Sequence, residues 1–444
     1  MSTNNELRIT LFTVYALLAS VPSSAGSWGT QAELASNAYN GTVAIDSSGT
    51  LTSVWYQNAL ANGTAVNEIW ASSAAFGHPW STPVNISGPI GVASGNPSVR
   101  GSASGNVTAI YTNQNGNAMY VDRPAGGNWG TPAAITGAVN QFYVHNDQGD
   151  EGLAWGTGGA RASSSTIVAV DRPAGGTWGT ATKVASAPHL SLNGSLMAPD
   201  GTLAVAWESF DSVCGSRTCK TSNWVLHVST LAPGAHTWID SGALLGPDAT
   251  SHFAQMAGDA GGNLGAIGLQ GGNLVSVVRH TSGWTPPAVV APLTAISYYT
   301  GTGRDNRVYA SDANGHATVV SWGPGLYTMV AVDGNLATNT WGAVTTISGQ
   351  DQNPNYFDFA MSSTGAAIVF WSVAGNGGNT IWRAATRGGA GMAWNAPATA
   401  GTSFEGGGAP EGVAINSAGE AAVVFHGYSS DYVTFIQYTN TYHP

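Results

Sequence analysis

The stretch Asp122–Thr131 reads DRPAGGNWGT, and Asp171–Thr180 repeats it almost unchanged as DRPAGGTWGT. Its tryptophan recurs at intervals of 46 to 60 residues, at Trp28, Trp80, Trp129, Trp178, Trp238, Trp284, Trp341 and Trp394. A glycine-rich and aromatic repeat of this length is typical of propellers and other repeat architectures. Because the copies are spread evenly over 444 residues, they predict one body and not two or three domains.

A second repeated feature is a turn of the form Asp-x-x-Gly, as in Asp46–Gly49 and Asp312–Gly315. Its glycine recurs at Gly49, Gly105, Gly149, Gly201, Gly262, Gly315, Gly365 and Gly419. Glycine accommodates the positive φ angles that tight hairpins require. Runs with a period of two, such as Leu203–Trp207, flank these turns and predict short strands.

Each repeat therefore holds four predicted strands, which we name A, B, C and D in chain order. A lone D-type strand at Trp28–Leu34 can complete a last repeat that ends with a C-type strand at Tyr432–Tyr438. We predict an all-β fold, an eight-bladed β-propeller with four-stranded blades, closed by the N-terminal strand in the last blade. Seven blades and a β-solenoid are the alternatives.

One aromatic position recurs on strand B, six residues after the turn glycine. Its residues are Trp55, Tyr111, Trp155, Trp207, Trp371 and Phe425, with Gly268 in the fifth repeat and an offset Trp322 in the sixth. A ring of sugar-stacking platforms is one interpretation. Because the same phase recurs in nearly every repeat, we favour packing between blades.

The composition excludes several classes of partner. Charged residues make up 8% of the chain, against about 25% in an average domain. The net charge is −11, which disfavours nucleic acid and anionic membranes because both require a basic face. A hydrophobic content of 43% argues against a disordered chain.

The N-terminus predicts secretion. Residues 1–25 combine Arg8, an apolar core and a small-residue cleavage site after Ala25, as a signal peptide does. An uncleaved anchor is the alternative. Residues 26–444 then form a single propeller domain, expected to be extracellular or periplasmic, monomeric and without a membrane partner. In an oxidising compartment, Cys214 and Cys219 are expected to pair as a local disulfide.

The strand order separates the two faces of the predicted disc. The A–B and C–D turns are short and uniform and share one face, while the D–A and B–C connections vary and share the other. Variable insertions on one face commonly mark the binding face. His145 stands just before an A–B turn, so we assign it to the opposite face or to packing between blades.

Repeats five to eight depart from the small, apolar pattern on the variable face. The catalytic candidates are His252, Tyr299, Arg304 and His426. The candidates for substrate binding are Asn306, Arg307, Tyr356, Asp358 and Glu411, together with Glu208 on the disulfide-pinned B–C loop of repeat four. Phe253 and Gln255 are further departures beside His252. We predict no cofactor and no metal site, and leave a structural calcium ion open.

These residue types suit a glycan or polysaccharide as the partner. Aromatic faces with amides and carboxylates bind neutral sugars. Converging Tyr, His and Arg suit a polysaccharide lyase, because Arg neutralises a uronate carboxylate while Tyr or His moves protons. Two carboxylates such as Asp358 and Glu411 suit a glycoside hydrolase. The hypotheses are a secreted carbohydrate-binding protein, a polysaccharide-cleaving enzyme (a lyase before a hydrolase), and a structural or adhesive surface protein.

The two Asp-Arg-Pro-Ala-Gly-Gly-x-Trp segments and the Asp-x-x-Gly strand pairs resemble secreted bacterial β-propeller repeat proteins, a class described as sialidase-like or lectin-like. The resemblance covers nearly all of residues 26–444 and implies the scaffold alone. Sialidases carry Ser-x-Asp-x-Gly-x-x-Trp boxes and an Arg-Ile-Pro motif. This sequence lacks both, so no catalytic residue is carried over.

Overall fold

The computed structural model describes residues 26–61, 64–88, 97–139, 142–157, 164–215, 218–297, 308–324, 328–349, 354, 356–375, 378–403, 410–428 and 435–444. No α-helix occurs in these ranges, and consequently none that could span a membrane. Their strands form eight antiparallel sheets, which are the blades of one ring.

The chain begins with β1 (Ser27–Trp28) and β2 (Ala32–Ser36). Blade 1 contains β3 (Ala38–Ile45), β4 (Thr50–Ala61), β5 (Thr64–Ala75) and β6 (Val84–Asn85). Blade 2 contains β7 (Ser98–Gly101), β8 (Val107–Thr112), β9 (Ala118–Arg123) and β10 (Ala133–Ala134). Blade 3 contains β11 (Phe142–His145), β12 (Glu151–Thr157), β13 (Ser165–Arg172) and β14 (Thr182–Ala187). Blade 4 contains β15 (Leu190–Met197), β16 (Leu203–Cys214), β17 (Cys219–Leu231), β18 (Ile239–Asp240) and β19 (Leu245–Asp248).

The second half of the ring follows the same order. Blade 5 contains β20 (Gln255–Gly258), β21 (Leu264–Gln270), β22 (Asn273–His280), β23 (Gly283–Trp284) and β24 (Ala288–Pro292). Blade 6 contains β25 (Tyr309–Ser311), β26 (His316–Trp322), β27 (Met329–Asn335) and β28 (Thr340–Thr346). Blade 7 contains β29 (Phe357–Met361), β30 (Ala367–Ala374), β31 (Thr380–Arg387) and β32 (Ala398–Ser403). Blade 8 contains β33 (Gly412–Ile415), β34 (Ala421–Tyr428) and β35 (Phe435–His443).

The N-terminal strand completes blade 8. β1 and β2 both pair antiparallel with β35, with Ser27 opposite His443 and Ala32 opposite Thr439. This closure leaves no open sheet edge at the seam. The prediction of eight four-stranded blades is confirmed, and seven blades and a solenoid are excluded. The predicted end of the last strand was wrong, because β35 continues past Tyr438 to pair with β1.

The A–B turns have the predicted geometry. Each of the eight turn glycines has a positive φ, between 78° at Gly49 and 94° at Gly149. In five of the turns the first side chain, an Asp or an Asn, accepts hydrogen bonds from the turn backbone. In blade 1, the Asp46 carboxylate accepts from the N–H groups of Ser48 and Thr50, both at 2.9 Å. Short polar side chains that mimic the backbone in this way favour tight turns.

The recurring aromatics of strand B form packing between blades, as predicted. Trp55, Trp371 and Phe425 have no exposed surface, and Trp322 is only 5% exposed. Trp322 and Trp371 belong to an apolar cluster that joins blades 5 to 7, Phe425 to one that joins blades 7 and 8, and Trp155 to one that joins blades 2 and 3. Full burial removes these rings from any ligand and gives them a share of the core stability.

The Asp-Arg-Pro segment forms a contact between blades that we name the arginine clamp. Arg172, at the end of β13, donates to Asp122 and Thr108 of blade 2, both at 2.8 Å. Its guanidinium lies over the rings of Tyr120 and Trp178, 5.2 and 5.3 Å from their centroids. Because charge-assisted hydrogen bonds and cation–π contacts act on one group, the repeated arginine and tryptophan serve one structural purpose.

The clamp recurs at two other junctions. Arg387 of blade 7 donates to Asp333 of blade 6 at 2.8 Å and to Thr318, and its guanidinium lies 4.9 Å from the Trp394 ring. Arg123 of blade 2 reaches blade 1 through hydroxyl groups, donating to Thr52 at 2.9 Å and to Ser73, and its guanidinium lies 5.5 Å from the Trp129 ring centroid. The Asp-Arg-Pro-Ala-Gly-Gly-x-Trp segment that first indicated a repeat therefore supplies contacts that hold neighbouring blades together.

Candidate functional site

The A strands line a central channel. Residues of the A strands and A–B turns of blades 2 to 7 enclose a cavity of about 800 Å³ along its axis. Its wall mixes apolar side chains, such as Phe142 and Leu192, with polar ones, such as Gln255 and Ser195. Small-molecule sites have this mixed character and volumes of roughly 300–1,000 Å³. The channel is therefore a candidate site.

The A–B turns narrow one end of this channel. The Ala103 N–H donates to the Asp147 carbonyl at 2.7 Å, and the Ala313 N–H donates to the Ser363 carbonyl at 3.0 Å. Burial raises the pKa of the Asp147 carboxyl, and a hydrogen bond from Ser363 opposes this effect. Because blades 3 and 7 stand opposite each other, this contact brings the turns together at the axis. We therefore take the D–A and B–C end as the entrance of the channel.

Two long B–C hairpins flank this entrance. Strand B continues six residues beyond Trp55 in blade 1 and seven beyond Trp207 in blade 4, which extends each hairpin by roughly 20 Å. In the other blades, the described B strands end within three residues of that position. A Cys214–Cys219 disulfide joins the two strands at the tip of the blade 4 hairpin, as predicted.

Phe253 occupies the channel mouth in an unusual conformation. It has a φ of 50° and an exposed fraction of 48%, and it lines the central cavity. A bulky residue without glycine's freedom rarely adopts this left-handed conformation. Such strain persists only where the surroundings enforce it, and it concentrates at functional positions.

A buried carboxylate enforces that conformation. Glu208 and His252 have no exposed side-chain surface. Glu208 Oε1 accepts from the His252 backbone N–H at 2.6 Å and lies 2.7 Å from Nδ1 of the same residue. The Ser251 hydroxyl donates to Oε2 at 2.6 Å and accepts from the Phe253 N–H at 3.2 Å. We name this group the blade 4–5 hub, since Glu208 lies on blade 4 and the loop leads into blade 5.

The electrostatics of the hub favour a charged carboxylate. Burial raises the pKa of Glu208, but hydrogen bonds from the His252 ring, its backbone amide and Ser251 outweigh burial and hold the pKa below its ordinary value. On its other side, His252 Nε2 lies 3.2 Å from the Asp248 carboxylate. The ring therefore stands between two acidic groups.

The hub also explains the missing aromatic of the fifth repeat. A Cβ at Gly268 would lie 3.0 Å from the Leu245 side chain and 3.2 Å from Cβ of His252. The Leu269 N–H donates to the His252 carbonyl at 2.9 Å. His252 thus fills the space that a strand B aromatic fills in other blades.

A second hub closes the ring at the seam between blades 8 and 1. Glu411 accepts from the backbone N–H groups of Asn40 at 2.7 Å and Gly41 at 2.9 Å. His426 Nδ1 lies 2.8 Å from Glu411 Oε1, and 20% of the His426 side chain is exposed. Asn40 has a φ of 63°. This seam hub repeats the combination of a buried glutamate, a histidine and a left-handed residue.

The structure therefore brings the site candidates together in two pairs. Glu208 meets His252 at one junction, and Glu411 meets His426 at another, across the ring. Asp358 lies on β29, 1% exposed, and accepts from the Phe359 N–H at 2.8 Å. Tyr356 is half-buried beside the same strand, and its carbonyl accepts from the Ser372 N–H. Tyr299, Arg304, Asn306 and Arg307 lie outside the described residues.

Sequence reasoning placed the informative departures in repeats five to eight and missed others. Arg100 and His145 both line the central cavity, on blades 2 and 3. His145 also lies by its A–B turn, where its Nδ1 is 3.0 Å from the Asn146 carbonyl. Comparing each strand A position across the repeats would have found Arg100, because it replaces an aliphatic residue. Among the described residues, no three His, Cys, Asp or Glu side chains are grouped as metal ligands.

Comparison with known proteins gives fold likeness only. No family model matches this chain, and no curated protein sequence matches it. The BP39L lectin from Burkholderia pseudomallei is 12% identical, with 83% of this chain and 100% of that chain covered and a TM-score of 0.49. The β-propeller domain of the trilobed protease from Pyrococcus furiosus is 9% identical (82% and 98% covered, TM-score 0.47). The polysaccharide lyase Uly1 is 9% identical (89% and 88% covered, TM-score 0.46). In each case the likeness extends over most of both chains.

Proposed function

We propose that this protein is a secreted carbohydrate-binding propeller whose ligand enters the central channel from the D–A and B–C face. The observation that supports this most is the exposed Phe253 ring, held in a strained conformation at the mouth of an 800 Å³ cavity. An aromatic face stacks on the apolar face of a sugar, and neighbouring amides and hydroxyls bond its hydroxyl groups. The low charge of the chain suits a polar, uncharged ligand surface.

The two parts of the blade 4–5 hub then have distinct roles. Glu208 and His252 are buried and hold the loop, while Phe253 projects into the cavity. We assign contact with the sugar to Phe253 and the positioning of that ring to Glu208 and His252. Tyr299, Arg304, Asn306 and Arg307 remain proposed contacts of the same face.

The test is a glycan array followed by titration calorimetry on the best ligand. Phe253→Ala should weaken that affinity about tenfold or more, since an aromatic ring loses roughly 1.5–3 kcal/mol of apolar burial. Ile239→Ala, at a 68% exposed position on the outermost strand of blade 4, β18, is the control and should leave affinity unchanged. An unaltered affinity in Phe253→Ala would contradict the assignment of the channel mouth.

A polysaccharide lyase is the second candidate, and one observation favours it. Arg100, Tyr143 and His145 line the same wall of the cavity, and these are the groups that uronate elimination requires. Burial and the nearby Glu151 carboxylate raise the pKa of Tyr143 well above its ordinary value. His145 is therefore the better candidate for removing a proton.

A degradation screen separates the two functions. Lyase activity on uronate polysaccharides produces new ultraviolet absorbance from unsaturated products, and His145→Ala should abolish it. Binding without such absorbance leaves the carbohydrate-binding function. If no glycan is bound or cleaved, both are wrong, and a structural or adhesive surface role follows.

A further inference from the structure

Two charged residues break the repeat pattern at the junction of blades 2 and 3. Five residues before the turn glycine, blade 2 has Arg100, where the other blades have Ala44, Val144, Leu196, Ala257, Ala310, Ala360 and Ala414. Two residues after that glycine, blade 3 has Glu151, where the others have Leu51, Val107, Leu203, Leu264, Ala317, Ala367 and Ala421. Both departures are found in the two repeats that share the nearly identical segments Asp122–Thr131 and Asp171–Thr180.

The two residues line one cleft. A cavity of about 540 Å³ lies between blades 2 and 3, bounded by their A–B turns and by the C–D turn of blade 3. Glu151 is 4% exposed, accepts from the Tyr143 hydroxyl at 3.0 Å and lies 2.5 Å from Arg172. Arg100 and His145 line both this cleft and the central channel. The cleft is therefore a side chamber next to the channel.

The arginine clamp does not need these charges. In blade 7, Arg387 forms the same clamp with Asp333 and Thr318, although Ala367 occupies the position of Glu151. Bringing further charges out of water costs several kcal/mol per ion in general. Arg100 and Glu151 are therefore not needed for packing between the blades. Charged residues that line a cleft without such a need indicate a binding site.

The cleft between blades 1 and 2 is an internal reference. It is built from the same Pro-Ala-Gly-Gly turn and measures about 330 Å³, with Arg123 in the clamp position. The positions of Arg100 and Glu151 are filled there by Ala44 and Val107. The larger cleft is lined by three arginines, Arg100, Arg123 and Arg172, and by two carboxylates, Asp122 and Glu151. Arg172 is paired with both carboxylates, so Arg100 and Arg123 supply the excess of positive charge in this lining, in a chain of net charge −11.

We propose that the cleft between blades 2 and 3 binds the anionic group of an acidic sugar, a uronate or a sulfated residue. The planar guanidinium of Arg100 matches carboxylate and sulfate oxygens in a two-bond geometry. Hydrophilic side chains on the rim, Ser104 and Gln148, are placed for the sugar hydroxyls. The ligand class rests on the proposed carbohydrate-binding function, while the location rests on the charges alone.

Titration calorimetry with trigalacturonic acid, its neutral methyl ester and galactose 6-sulfate tests this site. Arg100→Ala should weaken binding of the anionic probes about 10- to 100-fold, the loss of a charge-assisted bond, and leave the ester unaffected. Added salt should weaken anion binding in the natural protein. Comparison of trigalacturonic acid with the sulfated sugar identifies the preferred anion.

The variants Arg100→Ala and Glu151→Leu introduce residues that other blades carry at the same positions, so a loss of binding would not result from misfolding. Ala at position 100 and Leu at position 151 are what other blades carry, so both substitutions should fold. If Arg100 merely balanced Glu151, Arg100→Ala would lower the melting temperature and adding Glu151→Leu would restore it. In a binding site, adding Glu151→Leu leaves the loss of anion binding in place.

A matched steric pair locates the cleft. Ala174→Trp fills the cleft between blades 2 and 3 and should abolish anion binding, whereas Ala125→Trp fills the equivalent cleft between blades 1 and 2 and should not. If the protein binds a neutral glycan through Phe253 but shows no anion binding that depends on Arg100, this inference is wrong and the proposed function still stands. Anion binding that depends on Arg100, in a protein that binds no neutral glycan, supports the site and overturns the channel mouth.

Discussion

The blade 4–5 hub and the seam hub have the same combination of residues but serve different purposes. Each buries a glutamate that accepts from backbone N–H groups of the next blade and contacts a histidine. At the seam the left-handed residue is Asn40, a residue type that adopts this conformation at little cost. At blade 4–5 it is Phe253, which does not.

The residue type at the left-handed position distinguishes the hub that closes the ring from the hub to which we assign a functional role. Asn40 lets the Glu411 carboxylate tie blade 8 to blade 1, and its local geometry is relaxed. Phe253 stores strain and presents an aromatic ring at the channel entrance, a choice that stability alone does not explain. The two hubs share their chemistry, and backbone strain at a bulky residue is found only in the blade 4–5 hub. We therefore infer that Phe253 marks the functional site.

The largest effect is expected from Glu208→Ala. It leaves the His252 ring, its backbone N–H and the Ser251 hydroxyl without their acceptor in a site that has no exposed surface. Leaving a buried donor without the charged group that accepts from it costs about 1–3 kcal/mol, so the three donors together should cost roughly 3–5 kcal/mol. Chemical denaturation should show this loss of unfolding free energy. A loss below 1 kcal/mol would show that the loop, and not Glu208, holds itself in place.

Glu411→Ala should cost less, about 2–3 kcal/mol, because hydrogen bonds to a charged group are lost but water can reach the partner. His426 is 20% exposed at the seam, whereas His252 is not exposed at all. The same denaturation experiment measures both variants. An effect larger than that of Glu208→Ala would reverse the order of the two hubs.

Acid should weaken the blade 4–5 hub in a defined direction. The folded pKa of Glu208 lies below its ordinary value of 4.5, so the unfolded chain takes up the proton first as the pH falls. The stabilisation is complete above that ordinary value and is lost as the pH falls through the folded pKa. The difference in unfolding free energy between natural protein and Glu208→Gln should therefore shrink in acid. A constant difference would mean that Glu208 is not charged in the fold.

Only a small stability effect is expected from Phe253→Gly. Glycine relieves the left-handed strain but adds freedom to the unfolded chain, so the unfolding free energy should change by less than about 1 kcal/mol. Glycan affinity should nevertheless fall. Asn40→Gly is the matched change at the seam and should alter neither quantity appreciably. A strongly destabilised Phe253→Gly would reassign the ring to the core.

The scaffold was readable from sequence because each signal is local and repeated. The turn glycines, the strand B aromatics and the closing N-terminal strand follow from periods and positions, and all were confirmed. Strand ends were less accurate, since β35 continues to His443 only because β1 lies beside it. Pairing over 400 residues of separation has no local signature.

The site was less readable because its geometry depends on contacts between blades. His252 and Glu208 were singled out for chemistry, yet the fold buries both against each other. Phe253 was noted only as a neighbour of His252, and its φ is not encoded in any pattern. Arg100 and Glu151 depart from the repeat pattern but were not singled out from the sequence, and only the packed junction shows that they share a cleft.

The amino-acid sequence by itself determined the number of blades, the register of the strands and the face on which each turn lies. These follow from local backbone preference and from a hydrophobic period that repeats eight times. Only the tertiary structure decided which charged groups are sealed in hubs and which line open space. Burial and charge pairing depend on residues from neighbouring blades, and the distance between such residues is a property of the closed ring.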